Sequence, residues 1–285
     1  MLDAMAGIRG TIGQEIRRLV GSRSRMEKDP IERVPGDTGL FGPGSVTWAV
    51  HGDFTSMMIG GVSALLLQML HPKALAGVWE HSNFRHDMQG RLQRTAHFVG
   101  VTTYGSTAQA EALIRRVRSI HDHVHGTMAD GSTYSANDPH LLAWVHVAEM
   151  SSFLAAHLRY KNPRLSEADQ DRYFDEVATL AVRLGAPDVP RSRRAVAAYL
   201  DGMRPELRSD ERTRDVARII LSHRAPNLLA APFQAVTMQA AVDLLPPWAR
   251  RLHGFETPLP ARPLIRASAN GMGKVLRWAL APGAG

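Results

Sequence analysis

Residues 54–72 read FTSMMIGGVSALLLQMLHP, nineteen positions without an Asp, Glu, Lys or Arg. Gly60, Gly61, Ser63 and Gln68 interrupt the apolar run, and His71-Pro72 closes it, because proline cannot continue a helix. At about 17 residues, the segment from Phe54 to Leu70 reaches only the lower limit for a membrane span. Its composition instead predicts a helix buried in the middle of the fold. The glycine pair lets another helix, or a flat ligand, approach closely.

Working outward, every other strong signal is helical. Residues 73–103 form one or two helices carrying His81, His86, Arg91, Arg94, Thr95 and His97, and Tyr104-Gly105 turns the chain. Ser106 followed by Gln109 is a capping-box pattern that opens a helix running through Arg115 to His125, with Gly126 as its stop. Beyond a loop around Gly131, Asp138-Pro139 supplies an N-cap and first-turn proline for a helix to about Tyr160. Ser166 and Asp169 start another, which ends near Gly185. Further helices fit 190–204, 209–223, 226–244 and 264–280, with Leu245-Pro246-Pro247 a break. The prediction is an all-α chain, a single large helical domain over 41–260. An amphipathic helix and link precede it (1–40), and an amphipathic helix follows (261–285).

Composition narrows the function. Hydrophobic residues make up 44% of the chain, enough for a large core, and aromatics only 6%. The net charge of +7 is spread along the chain, and no nucleic-acid module accompanies it, so nucleic acid is not an expected partner. There is no cysteine, which excludes disulfides, thiolate metal sites, iron–sulfur clusters and covalent haem attachment. The first 25 residues mix Glu and Arg through their apolar positions, unlike a secretion signal, and a cytoplasmic protein is expected. P-loop, dinucleotide-glycine, H-E-x-x-H and G-x-S-x-G patterns do not occur.

Three constellations carry candidate chemistry. Ile114, Val117, His121 and Val124 fall within an arc of about 80° on a helix, so His121 points with the apolar side chains. Arg118 and His125 flank it, and His123 points to solvent. A neutral imidazole ligates a metal through one nitrogen while a second partner orients the other. A core histidine bonded to backbone fits the same pattern, and Arg118 suits the carboxylates of haem propionates. His146 and Glu149, three apart on a face with Leu142 and Phe153, form a rival imidazole–carboxylate pair for a non-haem metal, or a packed core histidine. Arg91, Arg94 and Thr95 share a helix face suited to propionates, dioxygen or water, or to plain solvation.

The segments GPGSVTWAVHGD, LLLQMLHPKALAGVWEHSNF, RLQRT, TTYGS, VRSIHDHVHG, YSANDPHLLAWVHVAE and LLPPWARRLHGF, in this order, resemble the family of rubber oxygenases (latex-clearing proteins) and MpaB oxygenases over roughly 40–255. The resemblance implies an all-helical fold with a pocket for non-covalent haem b between helices. It also implies dioxygen as co-substrate and a hydrophobic, isoprenoid-like substrate, taken here to be small. The family's R-x-x-H-x-x-x-R motif is matched by Arg118 and His121, with His125 in place of its second arginine. That assigns the proximal iron to His121, with His125 and His146 as alternatives. The R-x-x-K-T motif is matched by Arg91, Arg94 (for lysine) and Thr95, which implies that these residues shape the dioxygen side. A non-catalytic haem or lipid carrier is the other alternative. The basic surface and amphipathic ends suit transient membrane-surface contact. The oligomeric state stays open, a homodimer among the options.

Overall fold

The computed structural model describes residues 30–223, 225, 230–256 and 260–280. The expected helix near the N-terminus lies outside them. Twelve α-helices and one small β-hairpin make up the described chain. The helices are α1 (Val46–His51), α2 (Phe54–Gln68), α3 (Pro72–His81), α4 (Met88–Tyr104), α5 (Thr107–His121), α6 (Pro139–Tyr160), α7 (Glu167–Leu184), α8 (Arg193–Met203), α9 (Glu211–Ser222), α10 (Ala231–Leu244), α11 (Pro247–His253) and α12 (Ala261–Leu280). The hairpin strands are β1 (His125–Thr127) and β2 (Thr133–Ser135), paired antiparallel with His125 opposite Ser135. The all-α expectation holds.

The uncharged segment is α2, and it packs along α6 at the centre, with α10 and α12 against the pair. Ile59, Leu66, Leu67 and Trp144 are buried at their contact. One glycine of the pair explains the close approach. A Cβ on Gly60 would stand 3.0 Å from the Ser152 carbonyl oxygen and 3.1 Å from Phe153 Cα, whereas one on Gly61 would meet only Phe153 Cε1 at 3.8 Å. The glycine thus admits a helix. Gly60→Ala is expected to cost about 1–3 kcal/mol by overpacking, and Gly61→Ala much less, in urea melts of the two variants.

Because α2 ends at Gln68 and a new helix starts at Pro72, its last carbonyls need partners from elsewhere. Trp144 Nε1 donates to Gln68 O at 3.2 Å and His253 Nε2 donates to Leu66 O at 2.9 Å. In return, the Gln68 amide donates to Val145 O at 3.1 Å. The polar residues inside the apolar run are therefore part of how α2 is seated on α6.

The C-terminal helix α12 is bound into the same body. Arg277 bridges to Asp53 at 2.8 Å, and Asp53 also caps α2 through Ser56 N at 2.9 Å. Nearer its start, Arg262 and Arg266 reach the fully buried Asp243 of α10, which Arg159 and Arg250 also approach. Among the described helices, α6 alone is by itself long and apolar enough to cross a membrane, and most of it is buried inside the fold.

Candidate functional site

Serine and aspartate caps start the helices that hold the candidate residues. Ser106 Oγ accepts from Gln109 N at 3.2 Å, and Asp138 Oδ1 accepts from His140 N at 2.8 Å. The capping box at Ser106 is only half made. The Gln109 side chain instead ties down the incoming chain, accepting from Glu32 N and donating to Pro30 O at 2.7 Å.

Helices α4 and α5 are joined by the short turn at Gly105-Ser106 and pack against each other. Arg91 lies near the start of α4 and His121 ends α5, so at 1.5 Å per residue both stand roughly 20 Å along their helices from the turn. Arg91 donates to Ser82 Oγ at 2.9 Å, and no carboxylate pairs with it among the described residues. Burial and the neighbouring Arg94 lower its pKa. A largely desolvated cation without a counter-ion is suited to an anionic group.

The arginine–threonine cluster does not converge. Arg94 is exposed and paired with Asp87 at 3.1 Å, and Thr95 donates to Arg91 O of its own helix at 3.2 Å. Arg118 is also exposed and extends to the C-terminus of α7, donating to Arg183 O at 3.1 Å. The expected extent of α5 needs correction. The helix stops at His121, and two i→i+3 bonds, His123 N to Ile120 O and Val124 N to His121 O, turn the chain into β1. His125 therefore lies on a strand, exposed and opposite Ser135, not one helical turn above His121.

His121 is half-buried at this turn, and burial lowers its pKa, which keeps the ring neutral. Its Nδ1 is buried without a hydrogen bond, and Nε2 also has no partner among the described residues. A neutral imidazole with an unpartnered nitrogen suits a metal such as haem iron, and an uncompensated guanidinium suits a carboxylate such as a propionate.

His146 and Glu149 lie on the inner face of α6. Neither is hydrogen-bonded or ion-paired among the described residues, and desolvation alone pushes His146 down to about 4 and Glu149 up to about 7. Nearby, His51 is held between Thr103 Oγ1 at 2.9 Å and Tyr173 Oη at 3.0 Å, and burial, reinforced by His157 and His146, lowers its pKa to about 3. Between about pH 4 and the ordinary histidine value of 6.5, the unfolded chain takes up protons that native His51 and His146 refuse. Stability therefore falls as pH drops through that window. Glu149 acts with the opposite sign, because the native state holds its proton from 4.5 up to about 7. Urea midpoints measured across the range should show the acid-side loss winning, two groups against one, and Glu149→Gln should remove the smaller decline toward neutral pH.

Sequence reasoning missed one cluster. His71, the N-cap of α3, meets His140 and Glu206, with their ligand atoms all within 4.8 Å of one another. Glu206 lies 3.0 Å from His140 Nε2 and 3.5 Å from His71 Nε2. Because His71 Nδ1 accepts from Lys73 N at 3.2 Å, the neutral ring carries its proton on Nε2, facing Glu206. His140 Nε2 is hydrogen-bonded to Glu206, whereas His71 Nε2 is buried without a hydrogen bond, and a metal there would have to displace its proton. Separately, a cleft of about 830 Å³ opens between α9, α10 and α12, lined in part by Leu221, Met238, Val242 and Ile265, and none of these candidate residues borders it.

Fold and site together define an all-helical protein that offers an unpartnered imidazole nitrogen at His121 and an uncompensated guanidinium at Arg91. The family model described as ER-bound oxygenase mpaB/B'/rubber oxygenase, catalytic domain, matches residues 48–278. The chain belongs to this family, and it is an oxygenase domain of the all-α type. Neither the curated proteins nor the solved structures contain a match to it.

Proposed function

We propose that the chain is a haem b-dependent oxygenase that acts with dioxygen on a small lipophilic, isoprenoid-like substrate. The observation that carries this reading is His121, an imidazole kept neutral by burial, with Nε2 free of any partner among the described residues. His121 would hold the iron and Arg91 a propionate, in a pocket between the helices. When bound, haem supplies dioxygen activation, and the helices supply orientation and exclusion of water. Arg94 and Thr95, next to Arg91, would line the approach on the dioxygen side. The exposed Leu264, Val275 and Trp278 lie within an arc of about 60° on α12, which supports contact with a membrane surface where such substrates dissolve.

The test is an optical titration of the full chain with haem. A Soret band shifted from that of free haem is expected, lost in His121→Ala and kept in His125→Ala, together with dioxygen consumption when isoprenoids are added. An unchanged spectrum in His121→Ala defeats the reading. A second reading, a non-haem metal at His146 and Glu149, is favoured by their unpartnered position on the inner face of α6. Stoichiometric iron or manganese without porphyrin, lost in His146→Ala, would select it.

A further inference from the structure

We propose that Asn137 is the positioning residue of His121: its Oδ1 accepts the Nδ1 proton of the imidazole and leaves the Nε2 lone pair for iron. This deepens the haem reading above and rests on it for the identity of the metal, but not for the tautomer.

The Asn137 amide is held in one orientation. Its Nδ2 donates to Asp122 Oδ1 at 2.6 Å and to Arg118 O at 3.3 Å. Both partners are acceptors only, so the amide cannot be turned over without setting oxygen against oxygen. The orientation of Oδ1 follows. That oxygen is buried and lacks a donor, and His121 Nδ1, on the same last turn of α5, is buried and lacks a partner. Each atom supplies what the other needs. The Asn137 side chain lies close enough to the ring to raise the pKa that burial of His121 lowers.

Only one neutral tautomer satisfies this arrangement. With the proton on Nδ1, the ring donates to Oδ1 and Nε2 keeps its lone pair. With the proton on Nε2, two lone pairs would face each other away from water, and the outward nitrogen could not ligate. Metal-bound histidines commonly have their second nitrogen held in this way.

The β-hairpin brings Asn137 to its place. Ala136 N donates to Val124 O at 2.8 Å, so the chain returns to the end of α5, and Ser135 Oγ holds Asn137 N at 3.2 Å. Asp138 then caps α6. The segment between two long helices is thereby pinned against the histidine.

The tautomer can be read without haem. In the apo protein, long-range ¹H–¹⁵N correlation at His121 should show the Nδ1–H form. Asn137→Leu, close in shape but without an acceptor, should shift the ring toward the Nε2–H form and weaken haem affinity about 10–100-fold. An Nε2–H ring in the native sequence overturns the proposal, as does a folded Asn137→Leu with unchanged tautomer and affinity. If Asn137→Leu does not fold, the tautomer of the native chain decides. Should His121→Ala bind haem unchanged while the native ring is Nδ1–H, the haem reading fails and the role of Asn137 in setting the tautomer stands.

Discussion

Replacing Asp243 with Asn should destabilise the protein by about 3–5 kcal/mol, the cost of leaving a buried charge without its partner. Its carboxylate is fully buried and has four guanidinium neighbours: Arg266 Nε at 2.7 Å, Arg159 Nη1 at 3.2 Å, Arg250 Nη1 at 3.5 Å and Arg262 Nε at 3.7 Å. Among the described residues four cations face one anion, so the site is positive even when intact, and Asn keeps the shape while removing the charge that draws them together. Arg250 decides the magnitude. Its side chain is 9% exposed, while those of Arg159, Arg262 and Arg266 are 25–42% exposed and can swing into water. Urea melts should therefore show most of the loss recovered when Arg250→Met is combined with Asp243→Asn, and part of it in sulfate, whose anion can enter the positive cluster. A loss below about 1 kcal/mol would mean that all four arginines relax to solvent and that α12 is held by its apolar face and the Arg277–Asp53 bridge.

The same cluster shows what a one-dimensional reading resolves. LLPPWARRLHGF was readable as a helix break and a shared motif, but Asp243 and Arg250 acquire their meaning from Arg159 and α12, which local spacing does not connect. Local signals performed well. The uncharged run became α2, and Ser106, Asp138 and Ser166 cap the helices that they announce. The end of α5 was misplaced for a physical reason. Val124 keeps the apolar phase of the helix, yet it holds that position through an i→i+3 turn, and its Cγ1 lies 3.4 Å from the Cβ position of Gly77. The three-residue strands that follow are too short for a period of two to show.

For the candidate site, residue types were more legible than their surroundings. Arg91, Arg94 and Thr95 share a helical face in projection, but the edge of burial runs between them, and Asp87, the N-cap of α4, draws Arg94 outward. Asn137 was visible only as part of a shared motif, because fifteen residues and a hairpin separate it from Asp122. His71, His140 and Glu206 come from three distant segments and leave no local pattern at all.

Trp144→Ala is the second large effect, expected at about 3–5 kcal/mol. Trp144 is fully buried between α6 and α2, so truncation opens a cavity in the core. It also removes the Nε1 donor from Gln68 O at 3.2 Å. The two losses can be separated. Trp144→Phe keeps most of the volume and deletes only the donor, and Gln68 O retains His71 N at 3.2 Å as a partner. Phe should therefore cost about 1–2 kcal/mol, from the smaller cavity and one hydrogen bond. Thermal and urea melts of both variants give the division. If Phe proves as damaging as Ala, the indole bond to α2, rather than the packed volume, is what seats the central pair, and Gln68→Ala, which removes the reciprocal bond to Val145 O, should then be comparably destabilising.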